Sequence, residues 1–385
     1  MTMIHAMHIV PNQKFLPWIK HLFNRPEWSS TYVILLYEKK GIVRGGDDNE
    51  IEVSADKFGI KHIVTLLKTY DVAFHYLLDF PKTEIVLRSP PHIVHYWYFF
   101  GSEIYHQTNL FKGELYGPET RKILLILPEI KYWYEIRRMY YQIILRENSP
   151  FENFRKAIPR IRNILWYVED EIKIITSKIQ LPPWIFLQFF TFNNIIPDER
   201  VATNRDSRKV LIGNSATIEN NHFDVLNVLT KLNPFVQTYS LPMTYGQYKR
   251  YKSKVKKVFS AKLNEKVFFL EKHLSLDEYY SFINQHPTAI FLHYRQQGLG
   301  NILYLIYNGT KVYLSERNTI YHWLKRNGIM VFNFEEDFIS DYNNNNLLID
   351  LYWSNSNREQ IKKLLTENQN ETSMQLIETD IKGIK

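Results

Sequence analysis

Short apolar runs, separated by longer segments of helical period, make up this chain. In the first half Ile4–Val10, Tyr32–Tyr37, Val72–Leu78 and His92–Phe100 read as strands, with helices at Phe15–Asn24 and Ile60–Lys68 between them. Alternation of strand and helix predicts a parallel sheet covered by helices. Lys131–Arg146 then reads as a helix, Pro150–Ile175 as further helical material, and Pro182-Pro183 interrupts the pattern. The charged, aperiodic stretch Pro197–Arg208 predicts a linker. Beyond it the alternation restarts. Strands are predicted at Lys209–Ile212, Val236–Leu241, Val267–Leu270, Ala289–His293, Lys311–Leu314 and Met330–Phe332, with helices that include His222–Leu232 and Tyr245–Lys257. The expected fold is α/β, with two Rossmann-like domains at 1–200 and 205–365, and a polar, frayed tail at 366–385.

Size and composition narrow the function. A chain of 385 residues exceeds one compact core and fits two domains. It has no cysteine, which removes disulfides and thiolate metal sites. No apolar run approaches the ~20 residues that span a bilayer, and the start, MTMIHAMHIVPNQK, lacks the basic and apolar regions of a secretory signal. The net charge is +8, and 26 Tyr, 24 Phe and 8 Trp accompany it. Such a chain suits an anionic partner: nucleic acid, a membrane surface or a phosphorylated ligand. No zinc, helix-turn-helix, RRM or KH signature supports nucleic acid, which is not expected as a partner. Neither a DxD triplet at a strand end nor HExxH occurs, so no metal and no cofactor are expected.

Two loops carry the chemistry. In FLHYRQQGLGN, 291–301, an apolar strand runs into a polar turn with two glycines, and a helical pattern starts where they end. Gly298 and Gly300 allow close backbone approach, and the N–H groups and dipole of the following helix suit a phosphate. Arg295, Gln296 and Gln297 add side-chain donors, and Asn301 stands at the helix start. The other loop is Gly213-Asn214-Ser215, which ends the strand Lys209–Ile212. Open α/β sheets bind ligands at the carboxyl ends of strands, which is where both loops fall. A plain strand-to-helix turn has the same composition.

The strings VLIGNSATIENNH at 210–222, LPMTYGQYKRY at 241–251, RQQGLGN at 295–301 and LSERN at 314–318 resemble glycosyltransferase family 56, the TDP-N-acetylfucosamine:lipid II N-acetylfucosaminyltransferases, also called 4-α-L-fucosyltransferases. A thinner likeness covers Ile4-His5, Phe74-His75 and Gly101–Tyr105. The resemblance implies a GT-B fold, with two Rossmann-like domains facing across a cleft and the donor held by the C-terminal one. It implies transfer of a deoxy-amino sugar from a TDP-sugar donor to a polyprenyl-diphosphate-linked glycan in bacterial surface polysaccharide synthesis. A fucosyl or other deoxysugar transferase with a GDP or UDP donor fits the same residues. Where the family tends to have His-x-Trp before a Gly-x-acid motif, this chain has Tyr98-Phe99-Phe100, and its acid is Glu103 rather than Asp. These departures lie in the acceptor half.

The resemblance places His222, Tyr245 and Asn318 with the donor loops, and His5, His75, Gly101 and Tyr105 in the acceptor pocket. Glu103 is the candidate catalytic carboxylate, a base for an inverting transfer; a carboxylate stabilising a helix start is the other reading. Arg295 reads as the cation beside the leaving diphosphate, or as a strand-end arginine. The basic, aromatic stretch 131–167 reads either as a surface that docks on the anionic inner membrane or as an amphipathic packing segment. The first reading makes the protein peripheral, on the cytoplasmic face.

Overall fold

The computed structural model describes residues 3–46, 49–105, 107–111, 113–127, 136, 139–145, 148–188, 190–197, 208–232, 236, 238–246, 248–366 and 370–384. The chain divides into two compact units. Unit 1 holds 1–111, 134–191 and 368–385; unit 2 holds 112–133 and 192–367.

Unit 1 is built on eight strands: β1 Ile4–Val10, β2 Trp28–Leu36, β3 Val43–Gly45, β4 Glu50–Ser54, β5 Val72–Tyr76, β6 Val94–Tyr98, β7 Ile161–Trp166 and β8 Trp184–Phe186. Their order is β3-β4-β2-β1-β5-β6-β7-β8, and all pairs are parallel except β3–β4. The chain moves from β1 to one side and returns to β5 on the other. The carboxyl ends of β1 and β5 therefore flank a topological switch point. β5 and β6 are buried at every position, which is why they read as unbroken apolar runs.

Unit 2 is a parallel sheet of β9 Lys209–Ile212, β10 Thr238–Pro242, β11 Val267–Leu270, β12 Thr288–Phe291, β13 Lys311–Leu314 and β14 Phe332–Asn333. The order β11-β10-β9-β12-β13-β14 puts the switch point between β9 and β12. Val210, Ile212, Leu241, Ile290 and Tyr313 meet Phe223, Leu226, Tyr251, Val255 and Phe259 in its core.

Four expectations change. Pro150–Ile175 is not all helix: the helix Pro150–Ala157, closed by a Ser149–Glu152 capping box, gives way to β7 and then to the helix Glu169–Thr176. The apolar core of β7 has no period that separates a buried strand from a helix. β3, β4 and β8 also went unread, being three to five residues long. The segment following residue 112 joins unit 2 rather than the first domain, because Asp224 accepts the amides of Glu119 and Thr120 at 2.9 and 3.0 Å and Asn221 accepts that of Gly117 at 2.9 Å. The tail is not frayed. Asn370–Ile384 is a helix of unit 1 that buries Met374, Ile377 and Ile381, and its Asp380 accepts from Tyr96 and Arg162, both at 2.6 Å. The boundary expected at 200 falls at 191/192, and the linker expected at 197–208 lies mostly outside the described residues.

Candidate active site

The two loops chosen from the sequence meet at the switch point of unit 2. The amide of Gly213 donates to Ile290 O at 2.8 Å, tying the end of β9 to β12. Gln297 Nε2 then reaches Asn214 Oδ1 at 3.3 Å and Thr217 Oγ1 at 3.0 Å, and Asn214 Nδ2 donates to the Tyr245 hydroxyl at 3.1 Å. Gly213 and Gly298 are glycines for a physical reason: φ is +66° and +69°, and a Cβ at 213 would stand 2.2 Å from Asn220 Oδ1. Gly298 caps the helix Leu299–Tyr307, whose first amides open at the switch point. Gly300 is different. It lies in the first turn, and a Cβ there would make ordinary contact with Ile195.

Several chosen side chains support the loops from behind. Ser215 Oγ pairs with Thr217 Oγ1 at 3.0 Å and receives Asn220 Nδ2 at 3.1 Å. Asn301 Nδ2 donates to the Tyr279 hydroxyl at 3.0 Å. Gln296 is buried, and the Arg295 guanidinium is buried too, donating to Gln296 O at 2.9 Å with Nη2 3.6 Å from Glu219 Oε1. Its charge thus sits beside a carboxylate rather than in solvent. Asn318 caps the helix Thr319–Arg326 through Ile320 N, and its Nδ2 is a buried donor with no protein partner among the described residues.

His222 is enclosed in unit 2 behind the β9 loop. Its ring is fully buried, Nδ1 lies 3.2 Å from the Tyr251 hydroxyl, and burial pulls its pKa down to about 3. It is a neutral core histidine. Sequence reasoning missed Asn220 and His293, which hold the β9 loop: Asn220 Oδ1 receives Asn214 N at 3.0 Å and pairs with His293 Nε2 at 2.9 Å. Their signal, one asparagine in the polar run Glu219–His222 and one histidine at the end of an apolar strand, is faint.

In unit 1 the acceptor-side expectations fare unevenly. His5 lies near the amino end of β1, exposed, with its amide on Asp71 Oδ2 at 2.7 Å, at the opposite end of the sheet from ligand-binding loops. His75 is inside the sheet, its Nε2 3.0 Å from His95 Nδ1 and its pKa pushed well down, by burial first. Tyr105 is a core residue whose hydroxyl donates to Glu171. Gly101, at φ +94°, turns the chain after β6. Glu103 follows at that carboxyl end. Its Oε1 accepts Trp97 Nε1 at 2.9 Å and Phe100 N at 3.0 Å, while Oε2 is buried without a protein partner among the described residues. Burial raises its pKa.

The same end of unit 1 holds a cluster absent from the sequence reading. Tyr37, after β2, donates to Asp79 Oδ2 at 2.5 Å, and the fully buried Lys82 donates from Nζ to Asp79 Oδ1 at 3.0 Å and to the Tyr37 hydroxyl at 2.9 Å.

Known proteins bear directly on this arrangement. Residues 162–351, from β7 of unit 1 through both donor-type loops, match the family described as 4-alpha-L-fucosyltransferase, glycosyl transferase group 56. Through these residues the chain is similar to glycosyltransferase group 56. Among solved structures, the N-terminal domain of Candida albicans trehalose-6-phosphate phosphatase matches 100% of this chain and 97% of its own at TM-score 0.61 and 8% identity. Sucrose-phosphate synthase from Thermosynechococcus elongatus matches at 0.59 and 7%, over 99% and 100%. An E. coli structure described as trehalose-6-phosphate bound with UDP-2-fluoro glucose matches at 0.58 and 8%, over 98% and 99%. At such identities the likeness speaks for the fold, which is the GT-B type expected, with two parallel-sheet α/β domains. The protein is a glycosyltransferase that uses a nucleotide sugar.

Proposed function

We propose that this glycosyltransferase moves a deoxy-amino sugar of the N-acetylfucosamine type from a TDP-sugar to a polyprenyl-diphosphate-linked glycan, working on the cytoplasmic face of the inner membrane. The observation that carries the donor half is the junction of Gln297 with Asn214 at the switch point, beside the N-terminus of Leu299–Tyr307. There the helix amides face the place where a leaving diphosphate gathers charge, which is what glycosyl transfer without a metal requires. Arg295, with Glu219 beside it, adds a positioned cation.

A panel of TDP, UDP, GDP and CDP tests the donor. A nucleotide present at a hundred times its Kd is expected to stabilise the protein by about 2.7 kcal/mol. TDP is expected to act selectively. Arg295→Ala is expected to lower the stability of the free protein, since Glu219 loses its buried cation. The ligand-induced shift, measured separately by calorimetry, should vanish in that variant. Selective response to GDP or UDP would replace the donor, and no response to any nucleotide would remove the donor site.

The membrane half rests on apolar rather than basic residues of the expected stretch 131–167. Lys131, Arg137 and Arg138 lie outside the described residues, and Arg162 is held by Asp380. What supports docking is the run of exposed apolar side chains Ile136, Met139, Tyr140, Ile143, Ile144 and Leu145, of which Ile143 and Ile144 are 63% and 66% exposed. Among the described residues no helix is long and apolar enough to cross a membrane. Ile143→Ser with Ile144→Ser is expected to reduce sedimentation with phosphatidylglycerol-containing vesicles while leaving nucleotide binding intact. Equal sedimentation of variant and wild type would count against docking through this run.

A further inference from the structure

The cluster at the carboxyl edge of unit 1 identifies a different carboxylate from the one the sequence singled out. Asp79 stands three residues past the end of β5, on one side of the unit 1 switch point. It occupies the N-cap of the helix Phe80–Arg88, a place where an aspartate ordinarily accepts an amide of the first turn. Here its side chain makes no such bond. It turns instead to the Tyr37 hydroxyl at 2.5 Å and Lys82 Nζ at 3.0 Å. The chain before it is held in an unusual shape: Leu77 has φ +68°, and its amide and carbonyl are bonded to Tyr98 O and Asp79 N, both at 3.0 Å. A leucine is strained in that region, and such strain gathers at functional sites.

Lys82 adds a second unfavourable element. Its side chain is completely buried, and burial lowers its pKa while Asp79, and to a lesser degree Glu103, pull it back up. A buried ammonium is tolerated only when paired, and this one is spent on fixing Asp79. Asp79 keeps 22% of its side chain exposed. Glu103 has one oxygen committed to Trp97 and Phe100 and the other buried, so it braces the loop after β6. A base must reach the proton it removes, and of the two carboxylates Asp79 has the open face.

We propose that Asp79 is the catalytic base of the transfer, with Lys82 and Tyr37 as its positioning residues. The proposal rests on the glycosyltransferase reading of the donor loops. In the step, the acceptor hydroxyl gives its proton to an Asp79 oxygen as its own oxygen bonds to C1 of the donor sugar. The bond from C1 to the diphosphate breaks, its electron pair leaves with the nucleoside diphosphate, and C1 inverts. Among the described residues the titratable groups facing Asp79 are Tyr37, Lys82 and Glu103.

The test uses the full chain, the sugar nucleotide whose nucleotide binds in the panel, and a short-chain polyprenyl-diphosphate disaccharide, with nucleoside diphosphate release as readout. Asp79→Asn is expected to lower kcat by about 10²–10⁴, the range of a general base, with donor affinity unchanged. Glu103→Gln is expected to lose far less. Because Asp79→Asn strands the buried Lys82 charge, the Asp79→Asn/Lys82→Met pair checks folding, and it should be folded, donor-binding and slow. Lys82→Met alone should lower kcat with the acceptor KM unchanged, a split that a merely structural lysine would not give. The proposal is overturned if Asp79→Asn keeps kcat within about tenfold of wild type, below the range of a general base. It is also overturned if Glu103→Gln is the slower variant, or if the product retains the donor configuration. A wild type that binds no nucleotide removes the donor reading itself, a result separable from every variant comparison.

Discussion

Lowering the pH from 7 to 4.5 is expected to unfold the protein, and buried histidines are the reason. His8, His95 and His222 have pKa values pulled down to about 3 by burial, and His75 and His293 lie well below the ordinary value. His8 shows the setting: it is stacked between Phe74 and Tyr32 at 5.0 and 5.1 Å and is shared by Tyr76 and Ser30. Unfolding lets each ring take a proton near its free value of about 6.5. A depressed folded pKa contributes stability that is complete above 6.5 and lost as pH falls toward the folded value. Each such histidine loses about 1.4 kcal/mol per pH unit, so three of them at pH 4.5 remove ~8 kcal/mol, comparable to the stability of a domain. Tryptophan fluorescence and near-UV circular dichroism should change steeply between about pH 6 and pH 4. His8→Phe should be less stable at pH 7, where Tyr76 and Ser30 lose a partner, yet flatter in its acid dependence. Native spectra at pH 4 would refute this account.

Asn220→Ala is expected to destabilise unit 2 by about 3–5 kcal/mol and to abolish the nucleotide response. One amide holds the whole β9 loop. Its Oδ1 serves Asn214 N and His293, and its Nδ2 donates to Ser215 Oγ at 3.1 Å, Thr217 Oγ1 at 2.9 Å and Thr217 O at 3.3 Å. Alanine strands the Asn214 amide and the His293 ring in a buried place, and each orphaned group costs about 1–3 kcal/mol. The Gly213 backbone, already at φ +66°, would lose the group it curls around. Denaturant unfolding and calorimetry with the responding nucleotide measure both effects. A variant as stable as wild type, with the same nucleotide response, would show that the loop needs no such brace.

The two glycine-bearing loops of unit 2 were legible in the sequence because their signals are local. A glycine at the end of an apolar strand, a polar turn and a helix start are set by backbone conformation within a few residues, and Gly213 and Gly298 do adopt the left-handed shape that requires glycine. The polar cluster at the carboxyl edge of unit 1 was not legible. His5 and His75 sit in true strands, but an apolar run does not say which of its residues reaches the ligand end and which stays inside. Tyr37 and Lys82 are separated by 45 residues, so their meeting around Asp79 depends on the pairing of β2, β1 and β5 in one sheet. The tail looked polar because its three buried apolar residues are diluted among charges, and those charges find Arg25, Arg162 and Tyr96 only in the folded unit.

By itself the sequence determined the α/β alternation, the two units and the glycine-bearing loops, since periodicity and turn chemistry act over a few residues. Only the tertiary structure decided which polar side chains converge: Gln297 on Asn214, Asn220 on His293, and Lys82 with Tyr37 on Asp79. Convergence is decided by strand order, and strand order follows from burying whole faces rather than from any short stretch of residues.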